Sequence, residues 1–189
     1  MTLNIDRRMA LFGLAVGGSA AAVSAATVKP GPAASAAPAL LPPSRPTAPR
    51  AVLVYDALAL LEQTIPHGKT PTGQRMRVPI IGGEFAGPNI KGRILSGGWD
   101  WQLIRGDGYM ELMASYFMET DDKVLIQVTN RGLVHLLGPE GPVDYAMSTP
   151  TFEVPMGKYS WLNQHIFCGT VAPGPKETPS VRLAIYKMV

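Results

Sequence analysis

Asp100 and Gln102, two positions apart and flanked by Trp99 and Trp101, are the polar pair in this sequence best placed to do chemistry. On an extended strand side chains alternate, so Asp100 and Gln102 share one face while Trp99, Trp101 and Leu103 share the other. A carboxylate turned into an apolar interior loses hydration, its pKa rises, and it becomes useful as an acid or base near neutral pH. Gln102 can orient a carbonyl or hydroxyl of a ligand. The plainer reading has Asp100 capping the Gly97-Gly98 turn and Gln102 satisfying backbone groups. Around this pair stand Tyr116 as a proton or hydrogen-bond donor, Trp101 or Trp161 as packing surfaces, and Asn163 as a second orienting amide. Asn130 and Arg131, at an expected strand end, suit either a plain turn or anion recognition at a pocket mouth.

Other chemistries find no support. There is no Gly-x-Ser-x-Gly elbow, phosphate loop, dinucleotide fingerprint or His-Glu-x-x-His motif, so no cofactor is expected. His67, His135 and His165 are far apart, and the one cysteine, Cys168, sits in an apolar run, so no metal site is expected either. His135 reads as part of a loop-like apolar segment and His165 as structural or outward-facing. Glu111 reads as an ordinary surface carboxylate, and Asp121-Asp122 as a hairpin turn rather than a catalytic dyad. The formal charge of +3 comes without a Lys/Arg cluster interleaved with aromatics, which argues against nucleic acid as a partner.

Those side chains need rigid elements to bring them together. Ala51–Thr64 is apolar and compatible with helix or strand; a polar loop is expected over 65–75. Strands then read from Arg77 to Ile81 (ending at Gly82-Gly83), Ile90 to Leu95, Trp99 to Arg105, Tyr109 to Thr120, and Val124 to Thr129 (ending at Asn130-Arg131-Gly132). The last two run from Tyr159 to Val171 and from Val181 to Met188. Seven or eight short strands broken by Gly and Asp turns predict an all-β antiparallel barrel or sandwich, and closure, which removes exposed edges, favours the barrel. Strand parity puts Tyr159, Trp161, Asn163, His165 and Phe167 on one face. One cavity is therefore expected to be lined by Asp100, Gln102, Tyr116, Trp161 and Asn163. Tyr116 enters it only if Glu111, Met113 and Ser115 point outward; otherwise Ser115 takes its place.

The first 50 residues read as address and tether. Arg7-Arg8 precedes an uncharged stretch from Met9 to Val28 rich in Ala, Gly and Ser, followed by small-x-small cleavage sequences. Residues 1–26 are thus expected to be a twin-arginine signal, disordered or helical, with an inner-membrane signal anchor as the alternative. Seven prolines make 27–50 a linker, leaving a domain over 51–189. A periplasmic or secreted location follows, with the membrane a partner only during export.

The run Gly82-Gly83-x-Phe85-x-Gly87-Pro88, Gly92, Gly97-Gly98-x-Asp100-Trp101-Gln102-Leu103, Asp107-Gly108, Thr120-Asp121-Asp122, Asn130-Arg131-Gly132 and Trp161-Leu162-Asn163 resembles the bacterial DUF3237 (UPF0311) family over about residues 51–189. The resemblance implies a compact barrel similar to allene-oxide-cyclase and calycin barrels, and it implies a strand at Ala51–Thr64. The chain departs from the pattern where relatives often read Leu-Asp-Ala-Arg-Tyr and it has Leu112-Met113-Ala114-Ser115-Tyr116. If that Asp/Arg pair carries charge chemistry in relatives, its loss here implies a more apolar pocket, or an altered or lost activity.

Two functions remain in view. The first is a cofactor-independent isomerase, cyclase or hydro-lyase acting on a small, partly apolar organic molecule, with Asp100 as acid or base. The second is a non-catalytic periplasmic carrier built like a lipocalin around the same pocket. A structural β-module in a homo-oligomer is a third, weaker option.

Overall fold

The computed structural model describes residues 47–136 and 143–189. The expected signal, 1–26, lies outside the described residues, as does the expected linker apart from the irregular, exposed 47–50.

Among the described residues ten strands form: β1 Ala51–Leu61, β2 Ile65–Thr70, β3 Gly73–Ala86, β4 Lys91–Ile94, β5 Gly98–Ile104, β6 Tyr109–Thr120, β7 Leu125–Leu136, β8 Val143–Glu153, β9 Phe167–Pro173 and β10 Ser180–Met188. Neighbours are antiparallel throughout, in the order β1-β10-β9-β8-β7-β6-β4-β3, and β1 pairs back onto β3. The result is a closed antiparallel barrel of eight staves, because β4 and β5 share one stave between β3 and β6. Closure satisfies edge N–H and C=O groups that an open sheet would expose.

β3 is the strand around which this closes. Its first half pairs with β2 on one side and β5 on the other; its second half pairs with β1 and β4. The change of partners needs a bend, and Gly82-Gly83 supplies it inside the strand rather than ending it as expected. Gly83 has φ +137°, and a Cβ there would come within 2.1 Å of the Leu58 carbonyl oxygen, so only glycine allows β1 to approach.

Other expectations change for physical reasons. The predicted loop over 65–75 is a hairpin of β2 with β3, its turn held by the Thr70 hydroxyl donating to the Gly73 carbonyl at 2.9 Å. Asn130-Arg131-Gly132 does not end a strand: β7 runs through it to Leu136, and His135 is therefore on a strand, not in a loop. The predicted strand from Tyr159 begins instead as a 3-10 helix, Ser160–Gln164, fixed by Gly157 N–H donating to Ser160 Oγ at 2.6 Å. Strand β8 went unpredicted. Pro150 breaks its strand signal, yet β8 pairs with β9 only at Met147↔Thr170 and Ser148↔Gly169, so the proline sits past that short seam.

The interior falls into two halves. Toward the 3-10 helix it is packed with Tyr55, Phe85, Met118, Ile126, Val128, Leu162, Phe167 and Ile185, all nearly inaccessible. Edge-to-face aromatic contacts run through it: Tyr55–Phe85 at 5.5 Å and Phe152–Phe167 at 4.9 Å between centroids. The turn at Asp121-Asp122 is tied across this end, with Tyr159 Oη donating to Asp122 at 2.8 Å and Lys158 Nζ to the same carboxylate at 2.8 Å. The other half, toward Met110 and Ser180, is not filled.

Candidate functional site

Pairing register assembles the unfilled half from two cross-strand rows. One runs Asp100–Ala114–Asn130 across β5, β6 and β7; the next runs Gln102–Leu112–Gly132–Ser148 and reaches β8. With strands about 4.8 Å apart, each row wraps the curved wall and aims its side chains inward. Small residues at Ala114 and Gly132 leave room between the longer polar ones. The result is a cavity of about 60 Å³, with an apolar wall that includes Leu61, Ile80, Leu112, Val171 and Leu183. That is space for a few waters or a small organic molecule, short of the several hundred Å³ of a drug-sized site.

Asp100 has one hydrogen bond on each oxygen. Gln102 Nε2 donates to Oδ2 at 2.7 Å and the Met113 backbone N–H donates to Oδ1 at 3.1 Å. Burial raises its pKa above the ordinary carboxylate value, and those two donors offset part of the rise. Tyr116 is buried two residues along β6 from Ala114, the cross-strand partner of Asp100; Gly98 sits opposite, where a Cβ would strike the Tyr116 Cβ at 2.5 Å. Burial drives the Tyr116 phenol well above its usual range; the neighbouring Tyr55 hydroxyl offsets part of the rise and the Asp100 charge adds to it. Near neutral pH Tyr116 is therefore a proton-bearing donor. The Tyr55 phenol is likewise pushed up by burial and then by Tyr116.

Three buried oxygens at this cavity have no partner among the described residues: Gln102 Oε1, Asn130 Oδ1 and Ser148 Oγ. A buried polar group left unpaired costs about 1–3 kcal/mol, so three around one space mark a place where stability is given up. Among the described residues no Lys, Arg or His lines the cavity. Among the described residues no three His, Cys, Asp or Glu gather as metal ligands.

The expected site residues divide. Asp100, Gln102, Tyr116 and Asn130 come together in the lumen, and Glu111, Met113 and Ser115 point outward as the placement of Tyr116 requires. Trp101 does not join them: it is 36% exposed on the outer wall, its ring 5.4 Å from His67 and 6.0 Å from the Arg77 guanidinium. Arg131 is outside too, in the row with Met113 and Thr149. Trp161 and Asn163 lie on the 3-10 helix at the packed end, where strand parity does not hold. Trp161 leans on Phe167, and Asn163 uses both amide atoms on the Val154 backbone, at 2.8 and 3.0 Å. Ser148 was missed because β8 was missed. Its signal was the alternation of Ala146, Ser148, Pro150 and Phe152 across from β7.

A family model described as "Protein of unknown function (DUF3237)" matches residues 49–188, nearly the whole described barrel. The chain belongs to the DUF3237 family. A UPF0311 protein of Rhodopseudomonas palustris (strain TIE-1) is 37% identical over 130 residues, covering 63% of this chain and 85% of that one. A beta-barrel like protein from Acinetobacter baumannii AYE is 29% identical with a TM-score of 0.68, covering 77% of this chain and 99% of its own. A protein described as an enzyme from Penicillium herquei shares the fold at 24% identity and a TM-score of 0.61, covering 77% of this chain and 98% of its own. Within the DUF3237 pattern, the Met113 and Ser115 departure falls on the outer wall. The expectation that it makes the pocket more apolar is corrected accordingly: those side chains do not reach the lumen, and Met113 is 43% exposed.

Proposed function

We propose that this DUF3237 barrel is a cofactor-independent enzyme that moves a proton on a small, partly apolar molecule, by isomerisation, cyclisation or addition and elimination of water. The observation that supports it is the pairing of a desolvated carboxylate, Asp100, with a proton-bearing phenol, Tyr116, at one cavity whose wall is largely apolar. Asp100 would take or return the proton. Tyr116 would donate a hydrogen bond to oxygen that gains negative charge, and Gln102 and Asn130 would orient the substrate through their free amide oxygens.

The test is a metabolite screen of the purified protein, followed by turnover assays on each compound bound. Asp100→Asn keeps the shape and removes the charge. Turnover should fall by ~10²–10⁴ with binding largely kept, the usual contribution of a positioned acid or base. A protein that binds compounds, converts none, and changes only in affinity on substitution is a carrier, and the enzyme reading is lost.

Export belongs to the same proposal, carried by Arg7-Arg8 and the uncharged stretch after it. Replacing both arginines with lysine should retain the precursor in the cytoplasm. Unchanged delivery to the periplasm would reject the twin-arginine route.

A further inference from the structure

The three free oxygens of the lumen constrain what can occupy it. Gln102 is fixed in orientation, because its Nε2 donates to Asp100 Oδ2 at 2.7 Å; a flipped amide would set oxygen against oxygen. Gln102 Oε1 is therefore an acceptor, and it is buried without a donor. Asn130 Oδ1 and Ser148 Oγ are also buried without a partner on the neighbouring strands, the amide able to present oxygen or nitrogen and the hydroxyl able to accept or donate. An occupant that satisfies Gln102 must bring an O–H or N–H group, and a hydroxyl, which both donates and accepts, suits Asn130 and Ser148 in either sense.

Charge narrows the class. With no cationic side chain on the wall among the described residues and Asp100 already present, a carboxylate or phosphate would be buried with nothing to balance it. An ammonium would meet Asp100, but it would have to shed its water against a largely aliphatic wall with that one carboxylate as its counter-charge, a desolvation cost that can exceed the attraction. Leu61, Ile80, Leu112, Val171 and Leu183 offer an apolar frame a place to lie. We infer that the lumen takes an uncharged compound bearing two or more hydroxyl groups on an apolar frame, received by Gln102 Oε1, Asn130 Oδ1 and Ser148 Oγ. This rests on the proposal that the lumen is a ligand site.

One ring with exchanged substituents tests it on the full chain: cyclohexane-1,3-diol, methylcyclohexane, cyclohexanecarboxylate and cyclohexylamine. Binding is read from methyl chemical shifts of Ile80, Leu112 and Leu183. The diol should bind at least ~10-fold more tightly than the hydrocarbon, and neither charged ring should compete. Asn130→Leu should remove that preference while leaving hydrocarbon uptake intact, and Ser148→Ala provides a second, milder variant should the first not fold. Equal binding of diol and hydrocarbon, or tighter binding of either charged ring, overturns the ligand class while the lumen stands as a site. No shift with any of the four means the cavity holds only water, and both readings fall together.

Discussion

The two halves of one lumen are built to opposite rules. The half under the 3-10 helix interlocks aromatic rings and aliphatic side chains that are almost wholly buried. The half between Asp100 and Ser148 keeps a cavity and three unpaired oxygens. Both are made by the same strands, β6 and β7 above all, so the difference lies in which residues occupy successive inward positions. Along β6 these read Met118, Tyr116, Ala114, Leu112 and Met110. Along β7 they read Ile126, Val128, Asn130 and Gly132. Where the residues are large and apolar the barrel holds itself together; where they are small or polar it leaves room and forgoes some stability. Tyr116 is the boundary, packed with the first half and facing the second.

The largest effect that could break this comparison is in the packed half. Phe167→Ala should cost about 3–5 kcal/mol in chemical denaturation, since it removes a ring locked against Phe152 and leaves a void. A loss under 1 kcal/mol would mean that half is less well packed than described.

Next come two carboxylates whose pH dependence should have opposite signs. Folding raises the Asp100 pKa, so the folded chain holds its extra proton between the unfolded value, about 3.9, and the raised one. Stability therefore falls as pH rises through that interval. Asp100→Asn should flatten this slope and raise the melting temperature at neutral pH. Asp122 is held well below the ordinary range by Lys158 first, then by the Thr120 and Tyr159 hydroxyls. Its contribution is present above the unfolded pKa and is lost as pH falls toward the depressed one. Asp122→Asn should lower the melting temperature at neutral pH, and less so in high salt because the carboxylate is exposed. Slopes of the same sign at the two sites would refute the contrast.

The smallest effect sharpens it. Ser148→Ala deletes a buried hydroxyl with no partner, so stability should hold or rise, by up to about 1 kcal/mol. A clear loss would show that ordered water satisfies Ser148 in the folded protein.

Much of this arrangement was legible in the chain. Hairpin turns at Asp107-Gly108 and Asp121-Asp122 place β6 to the residue, and period two then puts Asp100, Gln102 and Tyr116 on the inner face. What was illegible has a common origin: local signals that tertiary contacts override. Gly82-Gly83 and Asn130-Arg131-Gly132 read as stops, yet each lies within a strand because the barrel needs a bend at one and a gap at the other. Trp161 and Asn163 were placed by alternation in a segment whose side chains instead bond into a 3-10 turn. Pro150 hid the strand that carries Ser148.

The strand ends carry one practical consequence. Arg50 and Val189 exchange both backbone hydrogen bonds, at 2.7 and 2.9 Å, and Met188 N–H donates to Ile166 C=O beside the 3-10 helix. Both described termini therefore emerge from the packed end. A fusion partner, an affinity handle or a solid support joined at either one grips the barrel by its closed base, and the mouth near Leu61 and Ser180 faces away from the point of attachment. Display libraries and immobilised sensors can thus be joined beside Arg50 or at Val189 without shadowing the lumen.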